Sequence, residues 1–170
     1  MKQLYFVRHG LSVMNLAGMF SGRTDTPLAP EGAEQCRIAG EQLKQAGIDC
    51  IVSSPITRAL SSAKIIAEQI GFDPQAIIQN ELFIERDFGP LEGEPYTTHI
   101  NLDAIEGVEH SSDLLARVEQ GLAFLHTLDA DTILVVSHGS VGRALRSLVQ
   151  PDSPFEGGQH FGNAQVEQLL

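Results

Sequence analysis

The chain has 170 residues, of which 42 % are hydrophobic and 19 % charged. That balance excludes a wholly disordered chain and predicts a single domain, residues 1–170, large enough to bury a core without staples. Acidic residues outnumber basic ones by 22 to 11, for a formal charge of −11, and such a field disfavours nucleic acid and anionic membrane as partners. Cys36 and Cys50 fall in separate apolar segments and read as core residues in a reducing compartment rather than a disulfide framework. Met1 leads straight into Lys2-Gln3-Leu4-Tyr5-Phe6-Val7 without a long apolar stretch, which sets the expectation of a cytoplasmic protein.

Leu4 to Val7 is a short apolar run that suits a strand covered on both faces. Behind it Ala33, Cys36, Ala39, Leu43 and Ala46 recur at steps of three or four, predicting a helix that Gly47 stops. Ile48 to Val52 repeats the strand pattern. Ser54-Pro55 then predicts a second helix, with serine as cap and proline in its first turn. Ile56, Leu60, Ala63, Ala67 and Ile70 form its stripe, and Gly71 ends it. Ile77 to Gln79 is a weaker strand signal, and Phe88 to His110, rich in Gly, Glu and Pro, is the least regular stretch. A third helix starts near Ser111 or Ser112 and carries Leu115, Val118, Leu122 and Leu125 inward. Ile133 to Val136 reads as another covered strand, Gly139 to Leu148 as a fourth helix, and Val166 to Leu169 as an edge strand. The order predicts an α/β fold, a three-layer sandwich around a mostly parallel central sheet.

In open α/β sheets the site lies beyond the carboxyl ends of the strands. The first strand runs into Arg8-His9-Gly10, and the run Ile133 to Val136 leads into Ser137-His138-Gly139. Ile51-Val52 passes through Ser53-Ser54-Pro55 to Arg58. Two histidines and two arginines thus converge on one edge, where they repel one another unless an anion sits between them. Phosphate fits, because guanidinium forks match its oxygens with paired charge-assisted bonds. Helix starts after Ser54 and His138 add backbone N–H groups and positive dipole ends. A structural ion network at the strand ends is the competing reading.

Arg8-His9-Gly10 followed by Asn15 resembles the opening signature of the histidine phosphatase superfamily, the phosphoglycerate-mutase-like fold. The resemblance continues through Gly22, Asp25, Pro27-Leu28 and Gly32, then Ser53-Ser54-Pro55 with Arg58-Ala59. Glu85-Arg86-Asp87-Phe88-Gly89 with Glu92-Gly93 is similar to the family's acid-bearing segment, and Ser137-His138-Gly139 to its second histidine. One departure stands out: Leu11-Ser12 occupies the place of a Glu-Thr pair common in the family, which alters the expected pocket rim.

The resemblance implies that His9 is the nucleophile that becomes phosphohistidine, and that Arg8, Arg58 and His138 hold the phosphoryl oxygens. It places Asn15, Gly22 and Gly139 in the same phosphate cradle, and Glu85 as proton donor to the leaving oxygen and then as the base for water. Neither metal nor other cofactor is implied, since the arginines supply the positive charge. Glu92 reads as structural. Arg23 is a rim candidate for a second anionic group, with a solvent-facing role as the alternative. His99 and His160 become rim candidates if their loops fold over the pocket, but His99, His110, His126 and His160 are not spaced as a ligand cluster, and His126 lies on a helix.

A metal-independent phosphomonoester hydrolase acting on a small-molecule phosphate ester is the favoured function. A cofactor-dependent mutase is the nearest alternative, but family mutases carry a substantial insertion where Gly93 to Ser111 is short here. A protein-phosphohistidine phosphatase fits the small size, yet those compact members generally lack the acid segment. A non-catalytic phosphate-binding domain is the alternative from another class. A homodimer is compatible with the sequence, which leaves oligomeric state open.

Overall fold

A computed structural model describes residues 1–98 and 100–170, so His99 lies outside the described residues. Five strands form one sheet: β1 (Gln3–Arg8), β2 (Cys50–Ser53), β3 (Ile78–Gln79), β4 (Thr132–Ser137) and β5 (Val166–Gln168), in the spatial order β3-β2-β4-β1-β5. All neighbours run parallel except β5, which closes the edge antiparallel to β1. The α/β sandwich expected from the sequence is therefore the fold.

The layers follow from the alternation of side chains along the strands. Val7, Ile51, Leu134 and Val136 point to one face and pack on α2 (Pro30–Leu43) and α3 (Thr57–Ile70) through Cys36, Ala39, Leu43, Ala63, Ile66 and Ala67. Leu4, Phe6, Val52, Ile133 and Val135 point to the other and meet α4 (Ser111–Thr127) and α5 (Gly139–Val149). Every residue of β4 is buried, as its uninterrupted apolar run requires. Connection handedness explains which helix lies where. The chain moves in one direction from β1 to β2 to β3, so right-handed crossovers put α2 and α3 on one face. It then returns to insert β4 between β2 and β1, which puts α4 on the opposite face.

That insertion sets the site. Arg8 pairs with Ser137 and Ser53 with Val136, so β1, β2 and β4 end almost level. The ladder extends one step further, with His9 N–H donating to Ser137 O at 2.8 Å and Ser54 N–H to Val136 O at 3.1 Å. His9, Ser54 and His138 are thereby delivered side by side at the carboxyl edge.

Two local features differ from expectation. A one-turn helix, α1 (Val13–Leu16), follows β1, closed by a reciprocal capping box between Ser12 and Asn15. And α3 starts at Thr57 rather than at Ser54-Pro55. Its start is served from a distance, since Asp25 accepts from Thr57 N–H at 3.1 Å and from its hydroxyl at 2.7 Å. A carboxylate there complements the helix dipole, and Ser54 Oγ instead accepts from Ile56 N–H at 3.3 Å and meets His138 Nε2.

Candidate active site

His9 follows the last residue of β1 and is 2 % exposed. Its Nδ1 lies 2.7 Å from the carbonyl of Gly10, which can only accept, so Nδ1 carries the proton. Its Nε2 lies 3.2 Å from Arg58 Nε, which can only donate, so Nε2 presents a lone pair. Two independent partners thus impose one tautomer. Burial first, then the Arg58 and Arg8 charges, push the His9 pKa well below 6.5 and keep the ring neutral. Gly10 must be glycine here: a Cβ would collide with the carbonyl of Gly32 at the start of α2.

Arg58, the second residue of α3 and 1 % exposed, also donates to Thr24 O at 2.9 Å and Gly22 O at 2.6 Å. Arg8 donates to Phe161 O at 2.7 Å. His138 sits between β4 and α5, completely buried, with its ring 5.2 Å from that of His9. Its Nε2 is 2.8 Å from Ser54 Oγ. Burial, followed by Arg58 and His9, pushes its pKa well below 6.5 as well. Glu85, 8 % exposed, accepts from Arg86 N–H at 2.8 Å and from Ser140 N–H, in the first turn of α5, at 3.4 Å.

A cavity of about 1310 Å³ is lined by Arg8, His9, Asn15, Gly22, Arg58, Glu85 and Gly139 among others, while His138 lies buried behind its wall. Among the described residues, four buried side-chain polar atoms lack a hydrogen-bond partner: Arg8 Nε, Ser21 Oγ, His138 Nδ1 and Arg143 Nε. Arg8, Ser21 and Arg143 line this same cavity. Leaving such groups unpaired costs roughly 1–3 kcal/mol apiece, and three of the four gather at one cavity, where an anion can pair with the two guanidinium groups.

A family model described as Histidine phosphatase superfamily (branch 1) matches residues 4–169. The chain belongs to the histidine phosphatase superfamily. It is 33 % identical over 158 residues to the Bacillus subtilis "Uncharacterized phosphatase PhoE", covering 91 % of this chain and 80 % of that protein. It is 32 % identical over 165 residues to a 2,3-bisphosphoglycerate-dependent phosphoglycerate mutase of Brucella anthropi, covering 85 % and 79 %. In fold it is similar to a mycobacterial glucosyl-3-phosphoglycerate phosphatase solved with VO3, with TM-score 0.86, 24 % identity, and 99 % and 92 % of the two chains covered.

In this histidine phosphatase the loop behind Arg58 is held by Glu92. Its carboxylate accepts from the N–H groups of Arg23 and Thr24, both at 2.8 Å, and from Thr24 Oγ1 at 2.5 Å. Gly22 turns there at a φ of +48°, and a Cβ would run into the Glu92 carboxylate. Glu92 is thus placed as a structural residue.

The expected rim residues divide. Arg23 does not line the cavity; it reaches Asp87 and Glu109, both at 3.4 Å, and Glu85 O at 3.3 Å. It braces the acid segment instead. Asn15 lines the cavity, but its side-chain oxygen already accepts from Ser12 N–H and from Asn163 Nδ2, both at 3.3 Å, so only its NH2 can serve a ligand. Leu11 lines the rim as an apolar residue. His160 reaches the cavity, whereas His110 caps α4 and His126 lies in its last turn.

Asn163 was not evident from the sequence. Its Nδ2 also donates to His9 O at 3.2 Å, tying the chain ahead of β5 to the end of β1. No periodicity or spacing flags it, because the contact spans the antiparallel edge of the sheet.

Proposed function

We propose that this chain is a phosphomonoester hydrolase that works through a phosphohistidine at His9 on a small phosphorylated metabolite. The observation that carries the reading is the His9 tautomer. A neutral ring with its Nδ1 proton committed to Gly10 O and its Nε2 lone pair turned to Arg58 is a nucleophile prepared for attack.

In the first step Nε2 forms a bond to phosphorus as the ester P–O bond breaks. Glu85 gives its proton to the departing oxygen. Arg8, Arg58 and His138 supply the fixed donors for the phosphoryl oxygens, where positive charge is worth most in the transition state. In the second step water attacks phosphorus and gives a proton back to Glu85. The P–N bond breaks, and inorganic phosphate leaves with His9 restored. The relative named a phosphatase and the VO3 complex of the structural neighbour support this reading.

Hydrolysis is favoured over mutase chemistry because Gly93 to Ser111, where family mutases carry a substantial insertion, is short and brings neither lysine nor arginine to enclose a bisphosphate through a second transfer. The test uses a phosphorus-labelled alkyl ester and p-nitrophenyl phosphate, with EDTA as a control. Turnover in EDTA, with release of inorganic phosphate and trapping of acid-labile label on the wild type, is the expected result. Label appearing on another alcohol rather than as free phosphate would replace hydrolase by mutase. Inertness towards a broad ester panel would leave the non-catalytic binding domain.

A further inference from the structure

The chain has eight arginines against 22 acidic residues, so an arginine without a carboxylate partner is unusual here. Five are paired: Arg23, Arg37, Arg86, Arg117 and Arg146 each lie within salt-bridge distance of Asp or Glu. The other three, Arg8, Arg58 and Arg143, have no such pair among the described residues, and all three line the cavity of about 1310 Å³. Two of them are accounted for by the phosphoryl group. Arg143 is not.

Arg143 lies one helical turn beyond Gly139 on α5, so it faces the same way as the helix start. Its guanidinium carbon lies 5.0 Å from the centre of the Phe155 ring, a contact that steadies the group without neutralising it. Its Nε is buried and has no partner. His160, another lining residue, has its pKa lowered by burial and then by the Arg143 and Arg8 charges, so positive potential extends across this wall. The nearby Glu156 is engaged by the Ser111 hydroxyl at 3.0 Å. A cavity of about 1310 Å³ holds far more than one phosphoryl group.

We propose that Arg143 binds a second anionic group, a carboxylate or a second phosphate, carried on the leaving-group side of the ester. The substrate class is then a phosphorylated metabolite with two separated anionic ends. This rests on the hydrolase reading above and narrows it. A guanidinium fork suits either anion, and its attraction to a monoester with an uncharged leaving group is weak. Arg143 is here a specificity-determining residue and takes no part in bond breaking.

The test uses three esters of one three-carbon alcohol that differ only in the far end: 3-hydroxypropyl phosphate, 3-(phosphonooxy)propanoate and propane-1,3-diyl bisphosphate. Wild type is expected to prefer one or both anionic members over the neutral one by at least about ten-fold in kcat/KM. That preference should fall by about ten-fold or more in Arg143→Gln and be partly restored in Arg143→Lys. Comparing the carboxylate and bisphosphate arms identifies which anion is read. Wild type showing no preference overturns the proposal without reference to any variant. An unchanged preference in Arg143→Gln overturns it too. If no ester is turned over, the hydrolase reading fails, and calorimetric affinities of the same three esters give the same ratios for Arg143.

Discussion

Arg58 Nε donates a hydrogen bond of 3.2 Å to His9 Nε2, the nitrogen that attacks phosphorus in the proposed scheme. The arginine thus covers the lone pair and holds the ring in one tautomer. It lies where the same N–H can turn to a phosphoryl oxygen, and its other two nitrogens remain anchored on Gly22 and Thr24 carbonyls. Arg58→Lys keeps a charge but loses the fork, and Arg58→Ala also orphans both carbonyls. The alanine variant should therefore lose more turnover than the lysine variant, with both well below wild type. A lost transition-state donor in a buried site is worth on the order of 2–4 kcal/mol. Vanadate and inorganic phosphate should compete with substrate on wild type and weaken in both variants; equal competition throughout would remove Arg58 from the cradle.

His9→Ala should abolish turnover while the far-ultraviolet circular dichroism stays native. The ring is not part of either apolar cluster, and the backbone N–H bond to Ser137 survives the change. Near-native turnover in this variant would falsify the covalent scheme.

Glu85→Gln should sort substrates by leaving group. An alkoxide leaves poorly without a proton, so alkyl esters should lose about 10²–10⁴-fold, the usual range for general acid catalysis. p-Nitrophenolate is a stable anion and needs little help. Single-turnover kinetics isolates the first step from any slowing of water attack. Equal losses on both ester types would transfer the acid role to His138.

Stability should depend on pH through the two buried histidines. Both are neutral in the folded protein, with pKa values well below 6.5. Above that pH neither the folded nor the unfolded chain holds the extra protons, and the stability is fully present. As pH falls below 6.5 the unfolded chain binds protons that the folded chain refuses. The loss is up to about 1.4 kcal/mol per pH unit for each histidine. The urea midpoint should drop from about pH 7.5 to about pH 5.5, and a His9→Asn/His138→Asn double variant should show a shallower slope. An equally steep slope in the double variant would assign the effect to other groups.

Glu92→Ala should release the loop that carries the Gly22 and Thr24 carbonyls. Removing the acceptor of several N–H and O–H bonds should destabilise the fold by about 1–3 kcal/mol and raise the inhibition constant for phosphate. Gly22→Ala should weaken phosphate binding similarly, since its Cβ meets the same carboxylate at a φ that disfavours alanine. Phosphate binding unchanged in both variants would show that the loop does not position Arg58.

Much of this protein was legible along the chain because the signals are local. Uninterrupted apolar runs announce β1, β2 and β4, helical stripes announce α2, α3 and α4, and a polar residue just past a strand must emerge at the sheet's carboxyl edge. Arg8, His9 and His138 follow from those positions, and Arg58 from the helix into which β2 leads. Other features depend on pairings between residues distant in sequence. Asp25 starts α3 in place of Ser54, because a carboxylate 32 residues upstream reaches Thr57 and no spacing records that. Arg23 and Arg143 look equally available in the sequence, but folding gives Arg23 two carboxylates and Arg143 none among the described residues. The His9 tautomer is decided the same way, by a carbonyl one residue on and a guanidinium 49 residues away. Backbone periodicity writes the scaffold into the sequence, whereas the state of each charge in the site is set by which partner the closed fold brings within hydrogen-bond reach.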